Sequence, residues 1–175
     1  MEDTTTEQRL RLLKQEFIQH PATGPGDGRS SRPTVAPAPL DLAVVDRIGA
    51  AVAEMERHTR AVAPTAGPYT GDDTRVYLWS RRHTAHLDTQ NRQAIEAIIY
   101  RQGLEHALAI GDTTVIRQHP CPHCGCWGLF WREAAGEAVC VNRNCAEGGV
   151  SRTWSLARLA QQHIAGQETF QTRAT

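Results

Sequence analysis

Apolar positions along the chain fall into three strong stripes and one short alternating segment. Over residues 41–62, Val44, Val45, Ile48, Val52 and Met55 recur at helical spacing, which predicts a long helix with Asp41 as its cap and Pro64 as its stop. A second helix is expected over about 90–110, from Ile95, Ile98, Ile99, Ala107 and Ile110, ending at Gly111. The third stripe, Leu156, Leu159, Ala160 and Ile164, predicts a closing helix over 155–165, capped by Thr153 and followed by Gly166. A weaker pattern, Leu10, Leu13 and Phe17, marks a short amphipathic helix within 1–20, marginal by itself in water. Residues 75–87 fit both periods and are read as helix, while TTVIRQH reads as a short strand. Near residue 127 the period changes: WGLFWR, EAAGE and AVCV read as strand, turn, strand.

These segments define a mainly α protein with a small β zinc ribbon. A helical domain (40–118) precedes a four-cysteine hairpin with a C-terminal helix (119–166) and a tail (167–175). Residues 21–39, PATGPGDGRSSRPTVAPAP, hold five of the nine Pro and read as a disordered linker, so the helix before it is expected to be dispensable for folding.

Charge changes this picture little. Acids and bases balance at 19 each, and no segment is a polybasic arm that would mark strong nucleic-acid or membrane attraction. The start, MEDTTTEQRL, is polar and acidic, unlike a signal peptide, and no apolar run approaches a bilayer span, so a cytoplasmic protein with reduced thiols is expected.

In that setting clustered cysteine means metal or redox chemistry. Cys121 and Cys124 stand in CPHCG, whose spacing puts two thiolates on one metal. Cys140 and Cys145 stand in CVNRNC, a wider turn whose tight backbone Asn142 and Asn144 suit because Asn tolerates left-handed conformation. The hairpin brings the two pairs together, and four thiolates with no open position describe a structural Zn(2+) site. Cys126 is read as a small residue beside the site. His119 and His123 are alternative ligands that a completed four-cysteine shell does not need.

Trp127, Leu129 and Trp131 alternate along the first strand, either as a base-stacking platform or as a mini-core packed on Trp154. Arg132, Arg143, Arg152 and Arg158 are the arginines placed to touch phosphates. His83 and His86 share a helix face, but no HExxH, nucleophile elbow or phosphate loop accompanies them, so no enzyme is expected and no catalytic residue is assigned.

The order AIEAIIYRQGLEHALAIGD, then PCPHCG, then VCVNRNC resembles small uncharacterised zinc-ribbon proteins of actinobacterial phages and integrated elements. The resemblance covers about a third of the chain, from roughly Ile95 to Cys145. It implies a nucleic-acid-associated regulator. The helix-turn-helix that follows the ribbon in those proteins has no counterpart here, because one helix fits after Cys145. The other reading of the same residues is an adaptor that docks on transcription machinery or a phage component.

Overall fold

The computed structural model describes residues 5–19 and 42–171. The linker, the capping role of Asp41, the side chain of Phe17 and the last residues of the tail lie outside the described residues. Six helices and a three-stranded sheet follow in the order α1 (Thr5–Gln19), α2 (Leu42–Val62), α3 (Val76–Thr84), α4 (Thr89–Ala109), α5 (Thr114–Arg117), β1 (Leu129–Arg132), β2 (Glu137–Cys140), β3 (Thr153–Trp154) and α6 (Leu156–Gln171). Among the described residues no helix is long and apolar enough to cross a membrane.

Helix α4 is the central beam. Asp88 starts it, accepting from the Asn91 amide at 2.9 Å, and the Asp112 amide closes its last turn on the Ala107 carbonyl at 2.9 Å. Its first half puts Ile95 and Ile99 into a core with Val44, Ile48, Met55, Val76 and Tyr77. Its second half puts Leu104 and Ala107 into another core with Val115, Ile116, Leu129, Leu159 and three cysteines.

Helix α1 is an integral wall of the first core, contrary to the expectation that it is dispensable. Leu10 and Leu13 are 0 % exposed there. The joint with α4 is close because position 103 is glycine: a Cβ on Gly103 would meet Thr6 Oγ1 at 2.6 Å. Thr6 Oγ1 and Arg9 Nη1 donate to the Ile99 and Gly103 carbonyls at 3.4 Å each. The sequence pattern identified the helix but not the notch that receives it.

Three further differences have local causes. TTVIRQH forms the helical turn α5 because Asp112 Oδ1 accepts from the Thr114 amide at 3.0 Å, and Val115 and Ile116 are buried together, which strand alternation forbids. Thr153 does not cap the last helix. It pairs with Val139 in a third strand, and Ser155 Oγ accepts from the Arg158 amide at 3.2 Å instead. Helix α6 also runs through Gly166 to Gln171, packing along α4. The segment at 75–87 is helical as expected, entered through a 3-10 turn at Asp73–Arg75 that Asp72 caps.

The sheet is antiparallel in the order β1-β2-β3, with Leu129 opposite Cys140, Trp131 opposite Ala138, and Ala138 opposite Trp154. Leu129, Ala138 and Cys140 point into the second core and Trp131 and Trp154 pack against it, while Phe130 faces outward.

Candidate metal centre

Cys121 and Cys124 lie in the turn that follows α5. The Cys121 amide donates to the Cys126 carbonyl at 3.0 Å and the Gly125 amide to the Cys121 carbonyl at 2.9 Å, with Gly125 at φ 69°, a conformation that costs glycine nothing. Cys140 ends β2, and Cys145 ends a 3-10 turn at Arg143–Cys145. That second turn uses no left-handed asparagine. Asn142 has φ −69° and caps the turn by accepting from the Asn144 amide at 3.0 Å, and no described residue other than glycine has positive φ.

The four sulfurs lie within 4.8 Å of one another, the one such group among the described residues. Cys121 Sγ and Cys145 Sγ are 3.7 Å apart, Cys124 Sγ and Cys140 Sγ 3.8 Å. A disulfide needs about 2.05 Å, so these are thiols in contact. A tetrahedron with metal–sulfur bonds of about 2.3 Å has edges of about 3.8 Å, so these two edges match a four-sulfur metal site.

The electrostatics agree. The Cys126 amide donates to Cys124 Sγ and brings that thiol down to about 6, helped by the neighbouring cysteines and Asn142. Burial pushes Cys145 up to about 12 and also raises Cys140. Cys124 ionises readily while burial opposes ionisation of Cys140 and Cys145, and a cation among the sulfurs would stabilise their thiolates. Three of the four are buried and Cys124 is half-buried, so a bound ion has no open face for a substrate.

Cys126 stays outside the cluster, exposed, with Asn142 Nδ2 3.4 Å from its sulfur and 3.7 Å from that of Cys124. This amide donor beside two thiols is a feature the sequence reading missed; an asparagine two residues after a metal-type cysteine was its only signal. His123 is exposed and His119 is buried elsewhere. With His119 Nδ1 donating to the Val115 carbonyl at 2.9 Å, Tyr100 donates to Nε2 at 3.0 Å, leaving neither nitrogen for a metal.

The expected contact residues do not form one surface. Trp127 is 69 % exposed, whereas Trp131 turns with Leu129 toward the core. Gly128 separates them at φ 149°, and a Cβ there would meet Val141 Cγ2 at 3.2 Å, so the strand alternation that would align Trp127 with Leu129 breaks at a glycine. Arg132 pairs with Glu137 at 3.2 Å, and Arg152 pairs with Glu147 at 2.8 Å while its Nε donates to the Cys145 carbonyl. Arg143 and Arg158 are exposed, on the second cysteine turn and the first turn of α6. His83 packs beside Trp79 with ring centroids 5.3 Å apart, and His86 is exposed.

Comparison with protein-family models, with characterised proteins and with solved structures finds no match for this chain.

Proposed function

We propose that this is a non-enzymatic zinc-binding protein, with one structural zinc ion on Cys121, Cys124, Cys140 and Cys145, acting as a nucleic-acid-associated regulator. The observation that carries the zinc reading is the cluster of four sulfurs within 4.8 Å of one another, two of its edges at tetrahedral length. Zinc would neutralise the thiolates and tie the first cysteine turn to the end of β2, holding together a sheet too small to be stable alone. Elemental analysis of the purified protein should give one zinc per chain. A visible chromophore after anaerobic purification would replace zinc with an iron centre.

The nucleic-acid reading is supported by exposed Trp127, Arg143 and Arg158 on the sheet-and-helix module and by the likeness to zinc-ribbon proteins of phages. A second reading, a protein-docking adaptor, has its own observation. Phe130 and Val141 are exposed apolar residues beside the sheet, while Arg132 and Arg152 are engaged by carboxylates. Binding of labelled duplex and single-stranded DNA at two salt concentrations separates them. Saturable binding that weakens with salt supports the regulator. No binding at low salt, with a protein partner recovered by pull-down, supports the adaptor.

A further inference from the structure

Beside the first cysteine turn, a groove of about 580 Å³ runs between that turn and α6, within the size range of small-ligand clefts. We propose that this groove receives an unpaired base of single-stranded nucleic acid, stacked on Trp127. The proposal rests on the nucleic-acid reading above and narrows it to one site and one strand state.

Three observations point to this occupant. Trp127 lines the groove with its indole mostly in solvent, an unused π-face at the rim of a concave site, and stacking on such a face is the sequence-tolerant part of single-strand recognition. The opposite wall, on α6, carries amide and imidazole groups that match a base edge. Gln162 Oε1 is buried with no hydrogen-bond partner, and His163 is stacked on Tyr100 with ring centroids 4.0 Å apart. With the Gln167 amide nitrogen donating to His163 Nε2 at 2.9 Å, the neutral ring carries its proton on Nδ1 as a donor. Gln162 and His163 thus bring to this wall an amide and an imidazole, side chains of the kind that hydrogen-bond a base edge.

The third observation is charge. No carboxylate lines the groove, which disfavours a cationic ligand. The residues next to its lining in sequence include exposed Arg117, adjacent to Gln118, and Arg158, one helical turn before Gln162. The Arg117 guanidinium carbon lies 4.7 Å from the centroid of the Phe130 ring, a cation–π contact. A groove without acids, with exposed arginines close to its lining in sequence, suits a polyanion more than a cation. A B-form duplex keeps its bases stacked and paired, so the groove would discriminate against it.

The test is fluorescence anisotropy of a labelled 12-nucleotide oligothymidylate and of a labelled duplex of equal length, with the full chain loaded with zinc. The expected result is tighter binding of the single strand, with a slope of log affinity against log salt of about −1.4 for two phosphate contacts. Trp127→Ala should weaken single-strand binding roughly tenfold, and Trp127→Phe, which keeps a π-face, should restore most of it. Trp127 is exposed, so both variants should keep zinc and helical content, which is checked on the same samples. Equal binding of both oligonucleotides, or single-strand binding that ignores Trp127→Ala, overturns the groove while leaving the broader reading standing. No saturable binding of either at low salt overturns both.

Discussion

The two cores on α4 are built by different means. The first takes Leu10 and Leu13 from α1, Val44, Ile48 and Met55 from α2, Val76 and Tyr77 from α3, and Ile95 and Ile99 from α4. Large apolar side chains from four helices close it with no help from chemistry. The second has fewer large side chains, and Cys121, Cys140 and Cys145 occupy positions a leucine would otherwise fill. A short sheet and a one-turn helix cannot bury enough area to stand alone, so the sulfurs, with the metal ion they could hold, would make up for missing apolar volume. The first core is closed without the sulfurs, so it is expected to persist when the second is opened.

The sharpest break in that comparison is Cys140→Ser. Structural zinc sites contribute about 10–16 kcal/mol in isolated zinc-finger peptides, far more than one side chain's burial. Amides of residues 121–154 should lose hydrogen-exchange protection and zinc should leave, while amides of Met55 and Ile95 keep theirs. Collapse of protection in α2 would show that the two cores form one cooperative unit.

Next in size is Leu13→Ala, which probes the apolar core. A fully buried leucine truncated to alanine costs about 2–5 kcal/mol, so the chemical-denaturation midpoint should fall clearly with zinc content unchanged. A change within error would detach α1 from the folded body and restore its dispensability.

A third test uses the polar residues beneath α1. Tyr77 donates to His106 Nε2 at 2.8 Å, and His106 is 1 % exposed with Nδ1 unpartnered. Burial, with Arg47, Arg9 and Arg101 nearby, pushes His106 down to about 4. The folded state therefore resists protonation that the unfolded chain accepts near 6.5. Stability is fully present above 6.5 and is lost as pH falls toward 4, by about 3 kcal/mol at the low end. His106→Gln should flatten that slope when α-helical signal is followed in denaturant titrations between pH 7 and 4. An unchanged slope would assign the acid sensitivity elsewhere.

How legible these regions were follows from the range of the interactions that make them. Stripes within one segment identified α2 and α4, and CPHCG with CVNRNC identified the four sulfurs, since ligand spacing is local. The docking of α1 depends on Thr6 meeting Gly103, residues 97 apart with nothing in either segment to announce the other. The strand β3 is two residues long and exists only because β2 has an unpaired edge, with the Cys140 amide donating to the Arg152 carbonyl at 3.0 Å. Trp127 left the face it was expected to share with Leu129 and Trp131 through the backbone of Gly128, a residue whose freedom leaves no trace in hydrophobic period.

The smallest expected effect belongs to Cys126→Ser, and its smallness is the informative part. Cys126 stands two residues from Cys124, and a sequence reading could exchange them as ligands. The four-sulfur group excludes it, its side chain is exposed, and Asn142 Nδ2 lies 3.4 Å from its sulfur. Its backbone holds the site, through the carbonyl that accepts from Cys121 and the amide that donates to Cys124. Serine keeps both backbone groups, so zinc content should stay at one per chain and stability should change by less than about 0.5 kcal/mol, as for an ordinary surface position. Cys145→Ser, by contrast, removes a buried ligand and should lose the metal. Zinc retained in Cys145→Ser but lost in Cys126→Ser would mean that the fourth ligand is Cys126, and the tetrahedron of 121, 124, 140 and 145 would be wrong.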